Sequence, residues 1–158
     1  MNKLKITGLG ILLLLGIASG CKKDKEEVDT IYPTISLEAA NAFPKQCSIL
    51  KRGEKFIFRA DLSDNVALGS VSVDIHHNFD QHSHSTEVAA CNMDAKKTPI
   101  NPLLYIKDFP IPSGQKSYQI AQEIEVPANV DPGDYHFLIR LTDQSGWQTI
   151  KGLSIKIQ

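Results

Sequence analysis

Leu68-Gly69-Ser70-Val71-Ser72-Val73-Asp74-Ile75-His76-His77 is the stretch from which the fold can be read. Val71, Val73 and Ile75 alternate with Ser72, Asp74 and His76, a period of two that puts three β-branched side chains on one face and three polar ones on the other. The same period recurs on both sides. Upstream, Glu54 to Leu62 sets Phe56, Phe58 and Ala60 against Lys55, Ile57 and Arg59, and the short polar side chains of Ser63-Asp64-Asn65 make the turn into the next strand. Downstream, Ser117 to Val126 alternates through Tyr118, Ile120, Ile124 and Val126. Asp131-Pro132-Gly133-Asp134 is a turn, and Tyr135 to Leu141 then buries Tyr135, Phe137, Ile139 and Leu141 while His136, Leu138 and Arg140 face the other way.

Pro33 to Leu37 adds a short first strand and Trp147 to Ile157 a last one, after the turn Asp143-Gln144-Ser145-Gly146. Phe43 to Gly53 reads as loop, and Asn78 to Gln115 as a long irregular excursion with one short strand around Leu103 to Ile106. No segment has a helical period. About seven short strands separated by turns predict an all-β antiparallel sandwich. The run from Gly133-Asp134-Tyr135-His136-Phe137 through Thr142-Asp143 to Gly146 resembles the last hairpin of bacterial immunoglobulin-like domains. That resemblance implies an immunoglobulin-like sandwich over residues 32–158, in which Tyr135–Leu141 lies beside Leu68–His77 and the long excursion is an insertion between central strands.

The N-terminus has a different character. Met1 to Lys5 carries two lysines, Leu9 to Ile17 is apolar, and Ala18-Ser19-Gly20 brings small residues up to Cys21. A charged, an apolar and a small-residue region in that order make a secretory signal, here residues 1–20, and the apolar run falls short of the ~20 residues that span a bilayer. Small residues directly before a cysteine resemble the lipobox of bacterial lipoproteins. The resemblance implies cleavage before Cys21 and lipid on its thiol, which holds the chain to a membrane of the cell envelope. The outer membrane is the expected one, and its face is left open. Residues 21–31, opening with the charged Lys22 to Glu27, read as a flexible tether. A net charge of −1 lacks the basic excess that nucleic-acid binding requires. Cys47 and Cys91 are the remaining pair of three cysteines, and in an oxidising compartment they are expected to form a disulfide.

All five histidines lie in the sandwich, four of them between His76 and His84 and the fifth at His136. Neutral imidazole is the commonest protein ligand for Zn and Cu. In extended chain His82-Ser83-His84 turns both rings to one face. His76 and His136 end and begin the polar faces of two strands that pair in the immunoglobulin order. The expected metal ligands are therefore His76, His82, His84 and His136, with Asp80 as a ligand or as the partner of a ligating ring's far nitrogen. Strand parity turns His77 away, so it joins the set only if the strand has already ended. No nucleophile motif, H-E-x-x-H or Gly-rich phosphate loop is present, so a non-enzyme is expected.

The stretch Val73 to His84, with the Pro33-Thr34-Ile35 start, Leu68-Gly69-Ser70 and Gly133 to Phe137, is similar to an uncharacterised family of small Bacteroidetes lipoproteins known as a domain of unknown function. It implies a lipoprotein with an immunoglobulin-like sandwich and carries no established activity. The functional expectation is an envelope-anchored protein that binds Zn or Cu and captures it or hands it to a transporter. The alternative is an adhesion or accessory module that recognises a glycan, with Trp147 as an aromatic candidate, or a partner protein. Replacing Cys21 by Ser is expected to abolish lipid attachment and leave the leader uncut. Fatty-acid labelling and the mass of the membrane-extracted chain check this, and a cleaved, labelled Cys21→Ser product would contradict the lipobox reading.

Overall fold

A computed structural model describes residues 28–84 and 91–158. The leader, Cys21 and the charges of the tether through Glu27 lie outside the described residues. Among the described residues no helix is long and apolar enough to cross a membrane.

Eight strands form: β1 (Thr34–Ser36), β2 (Ile49–Leu50), β3 (Lys55–Ser63), β4 (Leu68–His77), β5 (Tyr105–Pro110), β6 (Ser117–Glu125), β7 (Gly133–Asp143) and β8 (Gln148–Ile157). They make a three-stranded sheet, β1-β3-β6, and a five-stranded sheet, β2-β8-β7-β4-β5. This is the immunoglobulin arrangement. β1, β3 and β6 take the places of strands A, B and E, β8-β7-β4 those of G, F and C, and β5 extends the second sheet as C′ does in variable-type domains. All pairings are antiparallel except β2 with β8.

The alternation in the sequence sets which faces meet. Phe58, Ala60 and Leu62 of β3 and Ile120 and Ile124 of β6 pack against Val71, Val73 and Ile75 of β4 and Phe137, Ile139 and Leu141 of β7, all buried. Phe58 and Phe137 cross the sandwich with ring centroids 5.4 Å apart. Tyr135, at the start of β7, is fully buried and makes a tyrosine corner: its hydroxyl donates to Asp131 O at 2.7 Å and accepts from Leu103 N at 3.1 Å. Burial pushes its phenol above the ordinary value, so it stays a neutral donor.

The structure corrects the expected strand list in two places. The segment read as loop from Phe43 to Gly53 contains β2, a two-residue strand joined in parallel to the end of β8. The strand expected at Leu103–Ile106 lies instead at Tyr105–Pro110, pairing with Ser70–Ile75 of β4. It is an edge strand with Ile106 67% exposed and only Phe109 buried, so its sequence lacks the alternation of a strand with one buried face. Asp29, inside the segment expected as tether, already contacts the sandwich. The Trp147 indole donates to Asp29 O at 2.8 Å, and the Tyr32 ring packs 4.8 Å from Trp147.

Cys47 and Cys91 are joined by a disulfide across a sequence separation of 44. Such a loop closure stabilises by about 4 kcal/mol in the chain-entropy model. Cys47 N also donates to Ser154 O of β8 at 2.8 Å, so the bridge fixes the excursion at Cys91 to the five-stranded sheet. Removing the corner hydroxyl with Tyr135→Phe leaves Asp131 O and Leu103 N without that partner. The variant is expected to lose ~1–3 kcal/mol in urea unfolding with an unchanged m-value; a midpoint equal to the native one would deny the corner its role.

Candidate metal centre

β4 and β7 bring the first two histidines together. Their antiparallel register pairs Ile75 with Phe137, His76 with His136 and His77 with Tyr135. His76 and His136 are therefore direct cross-strand partners on the face away from the core, with ring centroids 5.3 Å apart.

The chain then turns back over that face. Asn78 N donates to Asp134 O at 2.8 Å and Gln81 N to Asn78 O at 3.1 Å, with Gln81 in the left-handed region at φ 58°. Phe79 is buried and anchors the turn, packing edge-on against Tyr135 at 5.3 Å. Gly133 makes room for it. A Cβ there would lie 3.0 Å from the Phe79 ring, and its φ of +133° is one that other residues rarely adopt. The returning segment lays His82 and His84 over the β4–β7 pair. This is why His136, expected on an exposed face, is fully buried, while Arg140 on the same face of β7 is exposed.

Four rings converge. The centroid separations are 5.6 Å for His76–His82, 5.2 Å for His76–His84, 5.3 Å for His76–His136, 5.1 Å for His82–His84, 4.7 Å for His82–His136 and 4.6 Å for His84–His136. Each ring offers a nitrogen within 4.8 Å of the other three, so the four side chains could hold a metal ion. His76 Nε2 and His84 Nε2 approach to 3.2 Å.

Two carboxylates set the rings. His76 Nδ1 lies 2.8 Å from Asp74 Oδ1, and His82 Nδ1 lies 2.6 Å from Asp80 Oδ1. A carboxylate accepts only, so each Nδ1 carries the proton and each Nε2 presents its lone pair. The hydrogen bond from His82 also holds the Asp80 carboxyl below the ordinary carboxylate range. Asp80 thus sits on the far nitrogen of His82 and is not among the converging donors. His77 stands apart as well: it packs on Phe79 at 4.9 Å, and its Nδ1 accepts from Phe79 N at 3.5 Å.

The sequence reading did not single out Asp74. Its signal is spacing, since Asp74-Ile75-His76 and Asp80-Gln81-His82 repeat one Asp-x-His pattern, and both aspartates do the same work. Trp147, considered as a sugar platform, is half-buried against Tyr32 with its indole N–H engaged by Asp29.

Comparison with known proteins places the chain by family. A family model described as "Domain of unknown function (DUF4625)" matches residues 19–158. No curated protein matches. Among solved structures the chain is similar to a GspB Siglec domain, at 17% identity and TM-score 0.42 over 82% of this chain and 59% of that one. It is also similar to Spo0M, a sporulation control protein from Bacillus subtilis, at 12% identity and TM-score 0.37 over 80% and 49%. The chain thus spans about half to three-fifths of the length of these two structures.

The carboxylate contacts make a metal-independent prediction. Two-bond proton–nitrogen spectra of the chelator-treated chain should show His76 and His82 as Nδ1–H tautomers. An Nε2–H tautomer at either ring would contradict the geometry.

Proposed function

The chain belongs to DUF4625, a domain of unknown function, so its role has to come from its site, and we propose that it is an envelope-anchored lipoprotein that captures Zn2+ on His76, His82, His84 and His136. The observation that carries the proposal is the near-equality of the six ring separations, which run from 4.6 to 5.6 Å. With Zn–N bonds of about 2.0–2.1 Å, an imidazole centroid stands ~3.2 Å from the metal. Four centroids at tetrahedral angles are then ~5.2 Å apart in every pair, whereas a square plane gives four pairs near ~4.5 Å and two near ~6.4 Å. The rings follow the tetrahedral set. Square-planar Cu(II) and Ni(II) fit less well, and Cu(I) prefers thiolate or thioether sulfur, which this site lacks.

Four protein donors complete a tetrahedral shell. A catalytic zinc keeps one position open for water, so a filled shell suits binding rather than hydrolysis. The carboxylates of Asp74 and Asp80 fix the orientation of the His76 and His82 rings. Two of the four ligands sit on the turn-back segment, so release to a transporter needs only that segment to lift. The lipobox sequence at Cys21 supports the envelope location.

Calorimetric titration of the chelator-treated chain tests the proposal. One Zn2+ should bind per chain with Kd below about 1 μM. His82→Ala/His84→Ala should weaken binding at least ~100-fold, about 2.7 kcal/mol. Asp74→Asn and Asp80→Asn should each cost ~10–100-fold. Co2+ in place of Zn2+ should give the intense visible bands of a tetrahedral ion. Binding no tighter in the native chain than in the double variant would overturn the capture role, and an octahedral Co2+ spectrum would overturn the geometry.

A further inference from the structure

A second cluster of charged side chains lies at the other end of the β4–β7 pair, away from the histidines. Asp29 precedes β1, Asp64 sits in the turn between β3 and β4, and Asp143 ends β7. Each offers a carboxylate oxygen within 4.8 Å of the other two. None of the three forms an ion pair with a Lys, Arg or His among the described residues. Three carboxylates so close together repel one another unless something positive stands between them.

The hydrogen bonding is lopsided in an informative way. Asp143 is only 4% exposed. Its Oδ1 accepts from Trp147 N at 2.8 Å, while its Oδ2 is buried and has no hydrogen-bond partner among the described residues. Asp64 repeats the pattern: Oδ2 accepts from Val66 N and Ala67 N, both at 2.8 Å, and Oδ1 is buried without a partner among the described residues. Asp29 Oδ1 accepts from Ile31 N and from the Asn65 amide, both at 3.0 Å. In each of Asp64 and Asp143, backbone N–H groups hold one oxygen and thereby fix the carboxylate, and the second oxygen is left with a full desolvation cost. A buried carboxylate oxygen with no donor, beside two more carboxylates, is a ligand waiting for a cation.

We propose that Asp29, Asp64 and Asp143 bind a hard divalent cation, Ca2+, which clamps the segment before β1 to the end of the sandwich. Oxygen-only donors with no nitrogen or sulfur select Ca2+ or Mg2+ over Zn2+. Ca2+ bonds oxygen at 2.3–2.6 Å, so ligands on opposite sides of it stand at most ~4.6–5.2 Å apart, and the observed spacing fits within one shell. Three carboxylates drawn from three separate segments make an irregular set, which Ca2+ tolerates and Mg2+ does not. The clamp has a mechanical consequence. Among the described residues Asp29 is the first with a hydrogen bond to the sandwich, through Trp147, Asn65 and Ser145. A cation held there fixes how the domain leaves the stretch that leads back to Cys21.

Trp147 is the chain's only tryptophan, and its backbone and indole N–H groups contact Asp143 and Asp29. It is a built-in antenna for Tb3+, a luminescent stand-in for Ca2+. The test is to excite Trp147 in the purified, chelator-treated chain while adding Tb3+, to displace Tb3+ with Ca2+, and to follow thermal melting with and without Ca2+. The expected results are sensitised Tb3+ emission, Ca2+ competition with Kd at or below about 10⁻³ M, and a melting temperature that rises with Ca2+. Asp143→Asn keeps the acceptor for Trp147 N and removes one charge. It should weaken Ca2+ at least tenfold and, in chelator, melt no lower than the native chain, because a repulsion has gone. Asp29→Asn, outside the strands, should weaken Ca2+ similarly. His82→Ala/His84→Ala should leave Ca2+ binding unchanged. A folded native chain that shows no sensitised emission and no Ca2+-dependent melting overturns the proposal. So does a native response that survives in both aspartate variants.

Discussion

The register of β4 against β7 is the constraint on which the rest of the molecule depends. With Val71 opposite Leu141, Val73 opposite Ile139 and Ile75 opposite Phe137, three core side chains of each strand meet core side chains across the ladder. A slip of one residue would turn one strand's apolar set to the outer face and carry His76 or His136 into the core. Burial of those six side chains, each worth roughly 1.5–3 kcal/mol, forbids the slip. The same register that makes the core therefore makes His76 and His136 neighbours. The tyrosine corner pins the start of β7 from the side, since Tyr135 ties to Asp131 and Leu103 at once.

Much of this was legible in the sequence because alternation and turn chemistry are local signals. β3, β4, β6 and β7 announce themselves by period two, and the immunoglobulin order then brings His76 to His136. What escaped was decided by contacts between distant segments. β2 is two residues long and exists only because Ser48 and Leu50 hydrogen-bond with Lys156 and Gln158. β5 pairs along an edge, where Ile106 faces solvent and Phe109 faces the core. His136 could not be read as buried, because what covers it is a segment that first has to reverse at Asn78–Gln81.

The candidate site shows the same division. Its histidines could be named from clustering and parity, and His77 could be set aside by parity alone. The supporting aspartates are a subtler matter. Asp80 was visible as a partner for a ring, while Asp74 looked like one more polar residue on the outer face of a strand. Their common Asp-x-His spacing works by two routes. In β4, residues two apart share a face, so Asp74 lies beside His76. In the turn, Gln81 adopts a left-handed conformation, and Asp80 reaches His82 across it.

The β4–β7 pair ends in two groups of donors of opposite chemical character. Where Leu68 faces Asp143 the groups are carboxylates; where His76 faces His136 they are imidazoles. At about 3.3 Å per residue the two ends stand ~26 Å apart, well beyond the screening length of ~8 Å at physiological ionic strength, so charge at one does little to the other. Donor hardness would keep the proposed ions separate as well, since oxygen donors favour Ca2+ and imidazole nitrogen favours Zn2+. The rigid element between them is the best-buried part of the fold. The oxygen end joins the segment that leads to the membrane anchor expected at Cys21, and the nitrogen end is carried to the far side of the domain. Under the proposed function, a sandwich tied to a membrane through the segment before Asp29 and loaded at the histidines would present its metal away from that membrane, where a partner could reach it.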